Sequence, residues 1–248
     1  MIVESFDYGA RGKVVVVPDA AELAREAVDI ALTTVIAAQA ERRWAHVALS
    51  GGSTPKAMGE QLAQQPYRDL SAWHYLHVFW GDERWVPLTS LESNAGEAKR
   101  IFLDSVPIPA GQVHAYETEG ISPEASAARY EALVREIVPH EGGLPRFDLV
   151  FLGMGDDGHT ASLFPHTTPI HEQEHLIVAH VVPHLQTTRL TFTPPLLNAA
   201  RCIVCLVGGA AKAQRLKEVL EGPEQPDDLP SQAIRPEAGE LTWLVGHG

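Results

Sequence analysis

Only two of the 248 residues are cysteine, Cys202 and Cys205. That is too few for a disulfide framework and fits a reducing, cytoplasmic setting. No apolar run approaches the ~20 residues that a membrane crossing needs; the longest, such as 203–207, have strand length. The opening residues, Met1 to Asp7, lack the basic stretch and apolar core of an export signal. Basic residues are scarce as well: 19 Lys and Arg stand against 32 Asp and Glu, a formal charge of −13. Such an acidic surface argues against nucleic acid and anionic membrane as partners. It also sets a condition on any anionic ligand, which can bind only where local cations and backbone N–H groups overcome the general field.

What is present reads as an ordinary folded protein, with 45% hydrophobic and 21% charged residues. The length suits one large α/β domain, and two small ones would also fit. With no fixed-period repeat and no low-complexity linker, one domain over 1–248 is the expectation. Apolar runs predict strands at 13–17, 45–50, 75–80, 147–152, 176–182, 189–193, 202–207 and 241–245. Helical periods fall at 20–39, 55–65, 94–104 (capped by Ser93 or Asn94), 123–138 and 210–220. Segments 107–118 and 221–230, rich in Pro, read as loops. This alternation implies a mainly parallel sheet with helices on both faces. Ligands bind such sheets outside the carboxyl ends of the strands.

Three loops leaving strand ends carry unusual residues. The first is Ser50-Gly51-Gly52-Ser53-Thr54-Pro55, where the glycines allow close approach and Ser53 or Thr54 could cap the following helix. Its free N–H groups make a phosphate cradle or, with no ligand, a plain tight turn. It lacks the Lys of a nucleotide-binding P-loop. The second loop contains Asp82-Glu83-Arg84. Carboxylates suit hydroxyl groups and a guanidinium suits phosphate, while a solvated ion pair is the simpler alternative. The third runs Gly153-Met154-Gly155-Asp156-Asp157-Gly158-His159. Imidazole titrates near neutral pH, so His159 suits a general base, and Asp157 could fix its tautomer. Arg189 on a strand and Lys212 at a helix start are further cations that could reach a phosphate, although each alone resembles an ordinary surface charge.

At these residues the sequence resembles the 6-phosphogluconolactonase family. The matching segments are SGGSTP (50–55), FWGDERWVP (79–87) with Ser93-Asn94, LGMGDDGHTASLFP (152–165) and RLTFTPPLLNAARCIVCLVGGAAKAQRL (189–216). The resemblance implies a modified Rossmann-like sheet and hydrolysis of 6-phospho-D-glucono-1,5-lactone to 6-phosphogluconate. It implies no metal and no organic cofactor, and a small-molecule sugar phosphate lactone as the partner, handled by a monomer or small homo-oligomer. It makes His159 the base beside Asp157, with Ser50, Gly51, Gly52, Ser53, Asp82, Arg84, Arg189 and Lys212 around the substrate. Two departures stand out. The family's Lys-Pro-Pro type stretch is replaced by Pro183-His184-Leu185-Gln186-Thr187-Thr188, and residues 243–248 read as a shortened tail.

Rival readings have specific weaknesses. A glucosamine-6-phosphate deaminase would follow the histidine turn with an Asn-Glu-Pro type segment, where this chain has Leu163-Phe164-Pro165. A non-catalytic sugar-phosphate sensor would have no use for His159 with Asp157. His171-Glu172-Gln173-Glu174-His175 fits the HExxH pattern of zinc proteases, yet prolines upstream and a strand downstream make it a surface loop. Cys202 and Cys205, three apart on a strand, point to opposite faces and read as buried small residues. No serine sits in a GxSxG elbow, so water activated by His159 is the expected nucleophile.

Overall fold

The computed structural model describes residues 2–42 and 44–247. The chain forms β1 (Glu4–Asp7), β2 (Lys13–Val17), α1 (Ala20–Arg42), β3 (Ala45–Leu49), α2 (Ser53–Leu62), β4 (Leu76–Trp80), β5 (Asp82–Arg84), α3 (Asn94–Ala98) and α4 (Pro123–Ile137). A short hairpin, β6 (His140–Glu141) and β7 (Leu144–Pro145), leads to β8 (Leu149–Gly153), β9 (Ile177–Val182) and β10 (Thr187–Phe192). Then come α5 (Pro194–Asn198), β11 (Cys202–Gly208), α6 (Ala213–Glu221) and β12 (Glu240–Gly246).

Seven strands make the main sheet in the order β1-β2-β12-β11-β8-β3-β4. All run parallel except β1, which pairs antiparallel with β2. From β3 the chain winds outward to β4; from β8 it winds the other way through β11 to β12. The crevice at the carboxyl ends of β3 and β8 is therefore the topological switch point, where sheets of this kind bind ligands.

Side-chain alternation explains the layers. Leu76 and Val78 of β4 face Ala31 and Leu32 of α1 and Met58 of α2. Phe79, on the other face, meets Tyr130 of α4 edge-on at 6.3 Å and Phe147 at 5.2 Å. Most of the buried apolar residues form one cluster.

The strands expected at 176–182 and 189–193 do not join this sheet. They form an antiparallel pair, β9 with β10, and β10 also pairs with β5. The four-residue link 183–186 permits a hairpin, and a hairpin satisfies its own ladder. Phe192 N–H donates to Gly81 O (2.8 Å), which sets this small sheet at the end of β4. Its open edge is protected: Glu131 of α4 accepts from Leu176 N–H (2.8 Å) and Ile177 N–H (3.2 Å). The segment Asp82–Arg84, expected as loop, is thus a strand. The expected 94–104 helix is α-helical only to Ala98 and continues as a π-helical turn over Lys99–Leu103.

At the amino ends of β3 and β4, His46 lies opposite His77 in register. The His46–His77 and His77–His114 rings stack at 5.3 and 5.1 Å. His77 Nδ1 and His114 Nε2 share a hydrogen bond of 2.9 Å, which requires at least one neutral ring. Burial, then the neighbouring imidazoles, push both His77 and His114 down to about 4. The unfolded chain, with ordinary imidazoles near ~6.5, takes up protons that the folded chain refuses. Stability should therefore fall as pH drops from about 6.5 toward 4. Thermal melts across this range should show a falling Tm, and His77→Phe, which keeps a stacked ring, should flatten the dependence. An unchanged slope in that variant would assign the acid lability elsewhere.

Candidate active site

The third loop is built around a close approach. His159 Nδ1 lies 2.6 Å from Asp157 Oδ1, and the same oxygen accepts from the His159 backbone N–H at 3.1 Å. Burial pushes the Asp157 carboxyl up, but the hydrogen bond and charge of His159 outweigh it and hold the group at about 2. Asp157 is therefore ionised through the neutral range and can only accept. The proton between them belongs to Nδ1 of His159, which makes Nε2 the nitrogen with the lone pair in the neutral ring. The ring is 30% exposed and packs on Phe164 at 4.2 Å, with His184 edge-on to that phenyl at 5.5 Å.

The pair depends on Gly155. A Cβ there would stand 2.1 Å from His159 Nδ1 and 2.7 Å from Asp157 Oδ1. Around it, Gly155 N–H donates to His159 O (2.8 Å), and Ser231 N–H and Oγ both donate to Gly158 O (3.0 and 2.8 Å). Lys212 Nζ donates to Met154 O at 2.5 Å, so this cation also braces the loop.

The first loop departs from expectation in its cap. Gly52, with φ 115°, is the N-cap of α2, and no side chain caps this end. The chain turns into the helix two residues before the expected start at 55, which makes Ser53 its first residue and leaves the leading N–H groups without a side-chain acceptor among the described residues. Gly51 lies against Asn94, whose Oδ1 would be 1.9 Å from an added Cβ. Asn94 Nδ2 in turn donates to Asp82 O (3.0 Å), joining the first loop to the second. Ser50 Oγ is buried with no hydrogen-bond partner among the described residues.

In the second segment the three charged residues divide. Glu83 is 1% exposed and accepts from Ser93 Oγ (3.0 Å), Asn94 N–H (2.8 Å) and Ala95 N–H (2.9 Å), so it braces α3. Alternation along β5 turns it away from Asp82 and Arg84. Asp82 is also buried, and its Oδ2 accepts from Ser162 Oγ at 2.7 Å. Arg84 Nη1 donates to Glu92 O at 2.7 Å.

Arg84 is opposite Arg189 in register, so both side chains leave the same face of the small sheet. Burial, then the adjacent Arg84, lower the Arg189 pKa, while Asp82, Glu83 and Glu92 oppose this. Arg189 Nε and Nη1 are buried and have no partner among the described residues. Two neighbouring guanidinium groups with unused donors suit a multivalent oxyanion. On the other side of Arg189 in register is His180, which the sequence reading passed over. Residues 180 and 189 are symmetric about the 183–186 link, so a hairpin assignment would have found it. The HExxH stretch 171–175 is not a helix. His171 closes a 3₁₀ turn and pairs with Asp227 (2.6 Å), while Glu172 accepts the N–H groups of Gln173, Glu174 and His175. The two histidines therefore share no helix face.

Fold and site together define a Rossmann-like α/β protein whose switch point carries a histidine paired with an aspartate, with two neighbouring arginines on the adjoining small sheet. A family model described as glucosamine-6-phosphate isomerases/6-phosphogluconolactonase matches residues 18–243, and the chain belongs to that family. It is 44% identical over 214 residues to a 6-phosphogluconolactonase of Synechocystis, covering 86% of each chain. It is 41% identical over 233 residues to one of Nostoc, covering 93% of each. Among solved structures, the 6-phosphogluconolactonase of Thermotoga maritima superposes with a TM-score of 0.79 at 29% identity, over 94% of this chain and 98% of that one.

Gly155→Ala tests the close approach directly. The methyl group should displace His159 or Asp157 and lower kcat by roughly 10²-fold, the scale of a 1 Å misplacement. Near-native turnover in this variant would mean that the His159–Asp157 geometry is not what the activity needs.

Proposed function

We propose that the chain hydrolyses 6-phospho-D-glucono-1,5-lactone to 6-phosphogluconate, the second step of the oxidative pentose phosphate pathway, as a one-domain cytoplasmic enzyme. The observation that carries this reading is that Nε2 of His159 has no hydrogen-bond partner among the described residues. Its Nδ1 is committed to an ionised Asp157, on a loop tied to the strands that bear Arg84 and Arg189. The high identity to named 6-phosphogluconolactonases supports the choice of substrate.

In this mechanism the arginines receive the phosphate, and Lys212 adds positive charge nearby. Ser50 and the N–H groups of Gly51, Gly52 and Ser53 line the crevice and donate to the carbonyl oxygen as it gains charge. Water attacks C1 while His159 Nε2 takes its proton, a contribution of roughly 10²–10⁴-fold. The tetrahedral intermediate collapses, the C1–ring oxygen bond breaks, and His159 returns the proton to the leaving alkoxide. Asp157 stabilises the transient imidazolium. Asp82 acts through Ser162, as a brace.

The purified protein should accelerate lactone opening above the spontaneous rate, measured against a protein-free control with no metal added. His159→Asn should lose about 10²–10⁴-fold in kcat, with smaller changes in binding. It should also lose the single-proton acid limb of kcat/KM. That limb cannot belong to Asp157, which stays ionised down to about 2. Asp157→Asn removes a charge that favours the imidazolium, so it should move the limb to lower pH. A His159→Asn protein with native turnover and an unchanged pH profile would falsify the assignment.

Arg189→Ala should raise KM for the phosphorylated lactone by an amount on the order of 2–5 kcal/mol, the range for truncating a desolvated charge contact. Unphosphorylated gluconolactone, a poor substrate throughout, should be turned over as before. Equal losses on both substrates would make Arg189 a residue of the fold. Lys212→Ala is a less clean probe, because it also releases Met154 O.

A further inference from the structure

Ser162 follows His159 by three residues in the same loop and is 1% exposed. Each of its polar atoms is bonded to a different strand of the small sheet. Its Oγ donates to Asp82 Oδ2 of β5 at 2.7 Å, and its N–H donates to Thr191 Oγ1 of β10 at 3.2 Å. Its carbonyl accepts from His180 Nε2 of β9 at 2.8 Å. Register places Asp82 opposite Thr191, and Arg84, Arg189 and His180 in the adjacent row. The face that presents the arginines is therefore the face that grips the catalytic loop.

A second feature shows that this grip fixes the backbone. Ala161, between Thr160 and Ser162, has φ 47°, a conformation that a side-chain-bearing residue adopts only when its surroundings over-determine it. On one side Thr160 Oγ1 donates to Gly153 O (2.8 Å), and on the other are the three bonds of Ser162. Without them the short path from His159 to the small sheet would relax. Burial also lowers the pKa of His180, which keeps a neutral ring beside Arg189.

We propose that Ser162, braced by His180, is a positioning residue that fixes His159 relative to the Arg84–Arg189 pair. Through that distance it selects lactones carrying an anionic group at the far end from the reacting carbonyl. The inference rests on the lactonase reading above. A substrate anchored on the arginines feels any shift between the two parts of the site. A lactone without the anionic group, tethered nowhere, can follow the base.

The test compares Ser162→Ala, His180→Leu and His180→Gln on the phosphorylated lactone and on unphosphorylated gluconolactone, with melting curves for each. Ser162→Ala and His180→Leu should lower kcat on the phosphorylated substrate by roughly 10²-fold, with KM within about threefold. Turnover of the unphosphorylated lactone should change by less than about threefold. His180→Gln, which can still donate to the Ser162 carbonyl, should restore most of the loss. Should Ser162→Ala fail to fold, with Asp82 Oδ2 deprived of its donor, the two His180 variants decide the matter alone. Equal proportional losses on both substrates, a change confined to KM, or a Gln variant as poor as the Leu variant would each overturn the positioning role while leaving the activity in place. A wild-type protein with no lactonase activity would instead overturn the functional reading, and this inference with it.

Discussion

A side chain at residue 155 would overlap His159 Nδ1 at 2.1 Å, so the bond between His159 and Asp157 exists only because that position is glycine. Much else follows from this one allowance. With Asp157 ionised and holding Nδ1, the imidazole has one tautomer and one free nitrogen, whose direction is set by the loop. The loop then needs outside support, because a turn with so little side-chain bulk cannot hold itself. Ser231 supplies it at Gly158, Lys212 at Met154 and the small sheet at Ser162. The imidazole is held in place by its neighbours.

The charge distribution poses the opposite problem. In a chain of formal charge −13, two arginines sit side by side, partly out of water. Desolvation and mutual repulsion both disfavour that arrangement. The fold tolerates it because carboxylates stand nearby: Asp82, Glu83 and Glu92 favour the charged form of Arg189. None of the three is placed to consume the buried Nε and Nη1 donors, which have no protein partner among the described residues. The acidic groups around the site thus stabilise its cations and leave their hydrogen-bonding capacity for a ligand. Glu83 is bound to the amino end of α3 instead, where helix N–H groups satisfy it and offset its burial.

The main sheet was readable because its strands are buried on both faces, as the apolar runs 47–49 and 203–207 announce. The loops at its carboxyl edge were readable for a related reason: Gly, Asp and His interrupt those runs abruptly. The small sheet was readable only in part: β9 and β10 announced themselves as strands but not their pairing, and β5 has only three residues, too short for any period to register. β1 left no signal either, since all four of its residues are exposed. What the sequence could not convey was register. Ser162 was visible only as a serine outside a nucleophile elbow, and His180 as one histidine among twelve. Their meaning depends on which residues lie opposite one another across β5, β10 and β9.

That register is itself fixed by hydrophobic burial. Along β10, Leu190 and Phe192 are fully buried, and alternation then turns Arg189 and Thr191 to the other face. Slipping the strand by one residue would turn a guanidinium into the apolar face and a phenyl ring out of it, so the core holds the pairing in place. One apolar alternation therefore sets Arg189 on the same face as Arg84 and Thr191 at the Ser162 backbone. Packing and site geometry are here the same constraint. A substitution in the core face of β10 would disturb the arginine pair and the His159 loop together, although it touches neither.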